Sequence, residues 1–151
     1  MRKLQFTTTI QATRDRIWAT LLQDATYREW TAVFSPGSYA ETDWQTGSKA
    51  LFLGPGENGA PPSGMLSRIA EHRPGEYLAI EHLGMVKNGV EDTESVEVKA
   101  WAGARETYAL SDAGAGAAML TVEMDSTEGH ASYFEETWPK ALAEVKRIAE
   151  S

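Results

Sequence analysis

Between Lys3 and Ile10 the chain alternates, with Leu4, Phe6, Thr8 and Ile10 on one side and Lys3, Gln5, Thr7 and Thr9 on the other. A period of two predicts a strand with one buried face. Thr13 stands where its hydroxyl caps a helix, and Asp15 places an anion in the first turn. Ile17, Trp18, Leu21 and Leu22 follow at helical spacing, and Asp24 is a second candidate cap, opening a short helix that carries Tyr27 and Trp30. Strands return over residues 39–43 and 49–53, with Gly47 between them as turn chemistry. Four glycines and three prolines from Gly54 to Gly64 exclude a regular element and predict an exposed loop.

Residues 65–71 and 77–86 read as two further strands, and in the second Leu78, Ile80, His82, Gly84 and Val86 share one face. Lys87 to Ala104 is ambiguous. Asn88-Gly89 signals a turn, and Val96, Val98 and Ala100 alternate like a strand, yet Thr93 can cap a short helix ending near Gly103. The helix is the preferred reading. Residues 104–110 and 117–125 form a hairpin around Asp112–Gly116. Phe134, Trp138, Leu142, Val145 and then Ile148 or Ala149 keep to one helical face, with Pro139 inside it predicting a kink near Glu135 or Glu136.

The order is strand, two helices, six strands and a long helix, an α+β pattern in which a C-terminal helix packs across a curved antiparallel sheet. With 151 residues, 42% hydrophobic and 24% charged, one domain over residues 1–151 is expected. The absence of cysteine removes disulfides, thiolate metal sites and cysteine nucleophiles, and fits a reducing compartment, the cytoplasm. A net charge of −8 without a basic patch argues against nucleic acid. No apolar run reaches the roughly 20 residues of a membrane span, and the N-terminus lacks a signal-peptide core.

Several fragments carry a family likeness: Ile10, Ala12, Ile17 and Trp18 with Tyr27 and Trp30; His82-Leu83-Gly84 before Asn88-Gly89; Trp101-Ala102-Gly103-Ala104 with Glu106, Tyr108 and Leu110; and Trp138-Pro139-Lys140-Ala141-Leu142 with Val145-Lys146. In their order and spacing the chain resembles the START-like or SRPBCC superfamily, the helix-grip or Bet v 1-like fold. Within it, the chain resembles the branch named after the activator of the Hsp90 ATPase. The resemblance implies a cavity between sheet and long helix, and relatives that bind apolar or aromatic small molecules there. It brings no catalytic motif and no cofactor, and a shared fold does not transfer a function.

Against that frame, His82 is either a core histidine bonded to backbone or a polar group facing the cavity. His72, at a strand end beside Arg73-Pro74, reads as a solvated surface residue, and His130 as a capping or surface one. Glu106 alternates in phase with Tyr108 and Leu110, so it is expected inside, where a carboxylate needs a partner. That partner is a structural ion pair, a tyrosine hydroxyl, or His82. Trp30, Trp44, Trp101 and Tyr108 lie near predicted element ends and are expected to line the cavity mouth, with Trp138 on the helix. No histidine spacing suits a metal, no Gly-x-Ser-x-Gly elbow occurs, and the Gly54–Gly64 loop lacks the lysine of a phosphate loop. Three functions stay open: a binder of a hydrophobic small molecule (expected ligand residues Trp30, Trp44, His82, Trp101, Glu106, Tyr108 and Trp138), a chaperone-associated interaction module, and an acid–base enzyme of the cyclase or aromatase kind.

Overall fold

Strand β1 (Arg2–Ile10) leads into helix α1 (Arg14–Leu22), whose first turn is closed by the Thr13 hydroxyl accepting the Arg16 N–H at 3.1 Å. The computed structural model describes residues 1–151, the side chain of Glu57 excepted. Helix α2 (Asp24–Thr31) follows after a single residue, Gln23. Gln23, which ends α1 by donating its N–H to the Ala19 carbonyl, also takes the cap position of α2. Asp24 is therefore the first helical residue rather than the expected cap, and its carboxylate accepts from Arg28 one turn on, at 3.0 Å.

Next come β2 (Tyr39–Glu41), β3 (Lys49–Gly54), β4 (Ser63–Arg73) and β5 (Tyr77–Lys87). Gly54 pairs with Ser63 and Leu53 with Gly64, so the sheet reaches into the glycine-rich segment from both ends. What remains outside the strands is residues 55–62, with one tight turn at Glu57–Gly59.

The ambiguous stretch contains both candidate structures. Asn88 and Gly89, at φ 52° and 80°, form a two-residue hairpin turn of the kind that needs two left-handed residues, and it returns the chain as β6 (Val90–Asp92). A single helical turn, α3 (Val96–Lys99), comes after it. Its cap is Ser95, which accepts the Val98 N–H, and not Thr93. The Asp92 carboxylate binds the N–H groups of Glu94 and Ser95 and so holds Thr93 in the turn before the helix. The chain ends with β7 (Arg105–Asp112), β8 (Ala118–Ser126) and α4 (Glu128–Glu150).

The strands form one open antiparallel sheet, ordered β1-β8-β7-β5-β4-β3-β2, with β6 on the second half of β5. Between β4 and β5 the register shifts twice, at Leu66/Ser67 and at Ile69/Glu71. Such bulges bend a sheet, and these two bracket the segment where Ser67 faces His82. Helix α4 buries Trp138, Ala141, Leu142, Val145, Ile148 and Ala149, while Phe134 is half-buried. The helix runs unbroken through Pro139, which is exposed, as is Glu135 one turn earlier. Its C-terminal turn is tied down by side-chain bonds to backbone. Lys146 donates to the Thr9 carbonyl at 2.7 Å, Glu150 accepts the Gln11 N–H at 2.8 Å, and Arg16 donates to the Ile148 carbonyl at 3.0 Å. Among the described residues no helix is long and apolar enough to cross a membrane.

Candidate functional site

Registry brings four polar side chains into a row on the sheet face beneath the helices. Ser67 on β4 lies opposite His82 on β5, and Ile80 lies opposite Glu106 on β7. Because side chains alternate across a strand, His82, Glu106 and Tyr108 project to the same side. Ser67 Oγ sits 2.7 Å from His82 Nδ1, His82 Nε2 sits 3.3 Å from Glu106 Oε1, and the Tyr108 hydroxyl donates to Glu106 Oε2. The expected bond from His82 to backbone through its ring is absent, since both ring nitrogens meet side chains. The pairing of Glu106 with both His82 and Tyr108 answers the need of a buried carboxylate for partners.

Protonation follows from the partners. Burial pushes the Glu106 carboxyl up, but the hydrogen bond and charge of His82, with the Tyr108 hydroxyl, outweigh it and hold the group below its ordinary value. A carboxylate only accepts, so His82 must carry its proton on Nε2 and Tyr108 must donate. Burial and the Glu106 charge push the Tyr108 phenol well above its usual value, and the same two causes raise Tyr27. Ser67 is sealed from solvent, whereas the side chains of His82 and Glu106 keep 14% and 19% of their exposure. Unlike Ser67, those two side chains are not fully sealed.

Aromatic rings surround the row. Trp30 and Trp138 each lie against Tyr108, with ring centres 6.5 and 6.0 Å apart, and against each other at 6.0 Å. These three rings occupy the space beneath α4 where an internal cavity was expected. Trp30 and Tyr108 are accordingly core residues at 3% and 5% exposure, not mouth residues, and the indole N–H of Trp30 is donated to the Leu21 carbonyl. Trp138 is also buried and donates to Met124 Sδ. Trp44 is half-buried and packs on Tyr27 and Phe52, and Phe52 meets the edge of His82 at 6.5 Å. Trp101 stands apart, half-buried where α3 turns into β7, in no ring contact with the cluster among the described residues. Hollows of about 240 Å³, between β1 and α4, and about 130 Å³, beside Tyr27 and Trp44, lie outside the polar row. Both are below the roughly 300 Å³ of an ordinary ligand pocket.

No family model matches the sequence, and no curated protein does. Solved structures match it over nearly its whole length. A protein from Cytophaga hutchinsonii has a TM-score of 0.72 at 18% identity, over 99% of this chain and 94% of its own. The AHSA1-like protein from Aeromonas hydrophila has a TM-score of 0.70 at 14% identity, over 99% of this chain and 92% of its own. The chain has the helix-grip fold of the AHSA1-like proteins. DynU16, a protein of the dynemicin biosynthetic locus, shares the fold with a TM-score of 0.67 at 13% identity, over 99% of this chain and 47% of its own.

In this helix-grip fold the polar row lies on the gripped face, and His72 ties down one rim of it. Contrary to the solvated position expected, His72 is half-buried: its Nε2 accepts the Trp18 indole N–H at 2.8 Å and its Nδ1 donates to the Trp44 carbonyl at 2.8 Å. An indole N–H can only donate, so the tautomer is fixed. Trp44 is held at φ 63°, a left-handed backbone unusual for a bulky residue. His130 lies in the first turn of α4, exposed as a surface residue; its Nδ1 is 2.8 Å from the Thr127 hydroxyl, a contact between side chains that caps no backbone N–H of the helix.

Proposed function

We propose that the protein binds an apolar, aromatic small molecule on the gripped face of the sheet, with His82, Glu106 and Tyr108 as its polar anchor. The observation that carries this reading is a glutamate side chain that keeps 19% of its exposure while bonded, side chain to side chain, among rings. Buried polar networks are costly unless every member is satisfied, and a purely structural core has no need of one open to solvent. Aromatic walls with a few convergent polar groups are the usual composition of a ligand site. The helix-grip relative from a biosynthetic locus agrees with small-molecule work. Since the rings fill the space in the free protein, a ligand enters by displacing the half-buried Phe52, which meets His82, and Trp44, which packs on it.

An acid–base enzyme is the weaker reading. A general acid working near neutrality needs a raised carboxyl, and Glu106 is shifted the other way. The test is a titration with N-phenyl-1-naphthylamine, an uncharged aromatic probe whose emission rises in apolar surroundings. Saturable one-site binding, weakened in the H82A variant, is expected. Emission that grows linearly with probe, or is unchanged by H82A, removes the proposal.

A further inference from the structure

The donors around the row are spent, and its acceptors are not. A carboxylate offers about four acceptor sites, and His82 and Tyr108 each take one on Glu106. The N–H groups of Trp30 and Trp138 are committed elsewhere, to the Leu21 carbonyl and to Met124 Sδ. Among the described residues, no lysine or arginine bonds to any member of the row.

Tyr27 is the exception. Its hydroxyl has no hydrogen-bond partner, and since no fully buried side-chain polar atom is left unpaired among the described residues, this hydroxyl keeps some contact with solvent although the residue is half-buried. Its ring touches Trp30 at 5.6 Å and Phe52 at 6.4 Å, and those two rings in turn touch Tyr108 and His82. Tyr27 therefore stands one ring away from Tyr108 and from His82. The charge of Glu106 also reaches its phenol. Together they present an acceptor with free lone pairs and a hydroxyl that both donates and accepts.

We infer that the ligand is an uncharged aromatic molecule bearing a hydroxyl group, which donates to Glu106 and accepts from Tyr27, and that carboxylates are excluded. A hydroxyl is complementary to both protein groups at once. A ligand carboxylate would meet Glu106 as a like charge in partly dry surroundings, with no lysine or arginine bonded to the row to offset it. An unsubstituted hydrocarbon would cover the open lone pairs and leave them unpaired, which sites built for a hydroxyl reject strongly.

This inference rests on the binding reading, and calorimetric titration of the full chain separates the two. Three ligands of one shape are compared: 2-naphthol, naphthalene and 2-naphthoate. 2-Naphthol is expected to bind at least about tenfold more tightly than either of the others. Y27F, at a half-buried position, is expected to weaken 2-naphthol several-fold and leave naphthalene unchanged. E106Q is expected to let 2-naphthoate bind. Equal affinities for the three, with the N-phenyl-1-naphthylamine site intact, overturn the hydroxyl assignment and leave the binding reading standing. Saturable binding of none of the four molecules overturns both.

Discussion

The indole N–H of Trp18, on α1, is donated to Nε2 of His72, on β4, at 2.8 Å, while the opposite ring nitrogen donates to the Trp44 carbonyl. One imidazole thus joins the first helix, the sheet and the loop that carries Trp44 over the polar row. Removing it in H72A leaves a buried indole donor and a backbone carbonyl without partners. The expected loss is about 1–3 kcal/mol, the range for stranded polar groups, read as a lower midpoint in urea unfolding. Tryptophan emission should also move to longer wavelength as the Trp44 loop loosens. An H72A protein as stable as the parent, with unchanged emission, would show that the bridge holds nothing.

Glu106 makes a prediction about acid. Its folded-state carboxyl titrates below the ordinary value, because the bonds from His82 and Tyr108 outweigh the effect of burial. A group lowered in this way contributes stability above its unfolded pKa, about 4.3 for glutamate, and loses it as pH falls through the folded value. E106Q has no such charge to lose. The parent should therefore unfold at higher temperature than E106Q near neutrality, with the gap closing below about pH 4.3. Melting curves of the two proteins across that window test it, and a constant gap contradicts it. Comparing the pair cancels the other lowered carboxylates, Asp92 and Glu144 among them.

The polar row was half legible in the sequence. Glu106 and Tyr108 are two apart on a strand, so their common face follows from the pleat. Ser67 was not legible as a partner of His82, since that pairing depends on the two register shifts of β4 against β5, which side-chain alternation does not encode. The half-buried place of His72 is not legible either, because both its partners, Trp18 and Trp44, arrive from distant elements. The filled space beneath α4 was equally hidden: whether Trp30, Tyr108 and Trp138 leave a hollow is decided by rotamers, not by spacing. The long elements were readable because each repeats its period several times. Strand β6 has three residues, two of them exposed, and offers no period to read.

Gly84 explains how β6 fits, and it supplies a third prediction. A Cβ at Gly84 would lie 2.2 Å from the Asp92 carbonyl oxygen and 3.0 Å from Thr93 Cγ2. The close approach is to backbone, which cannot turn away as a long side chain does. G84A must push β6 off the second half of β5. The cost should approach about 3 kcal/mol, the upper range for overpacking. Hydrogen exchange should show lost protection at the Lys87–Val90 pair, with the β7–β8 hairpin unaffected. Unchanged exchange there would refute the contact.

Pro139 gives the last prediction, and it runs toward higher stability. The residue sits well inside α4, where proline has no N–H to return to the Glu135 carbonyl and its ring crowds the preceding turn. Proline in a helix interior is less favourable than alanine by about 3 kcal/mol. Part of that cost is offset here, because Pro139 and Glu135 lie on the exposed side, where water reaches the orphan carbonyl, and because proline also restricts the unfolded chain. P139A restores the hydrogen bond and leaves the buried stripe of Trp138, Leu142 and Val145 in place. A net gain of about 1 kcal/mol is expected once the proline cost and the unfolded-state term are set against each other, seen as a raised urea midpoint with an unchanged slope. A lowered midpoint would mean that the proline shapes α4 to the sheet, and that Trp138 reaches its place over Tyr108 only along a helix bent by it.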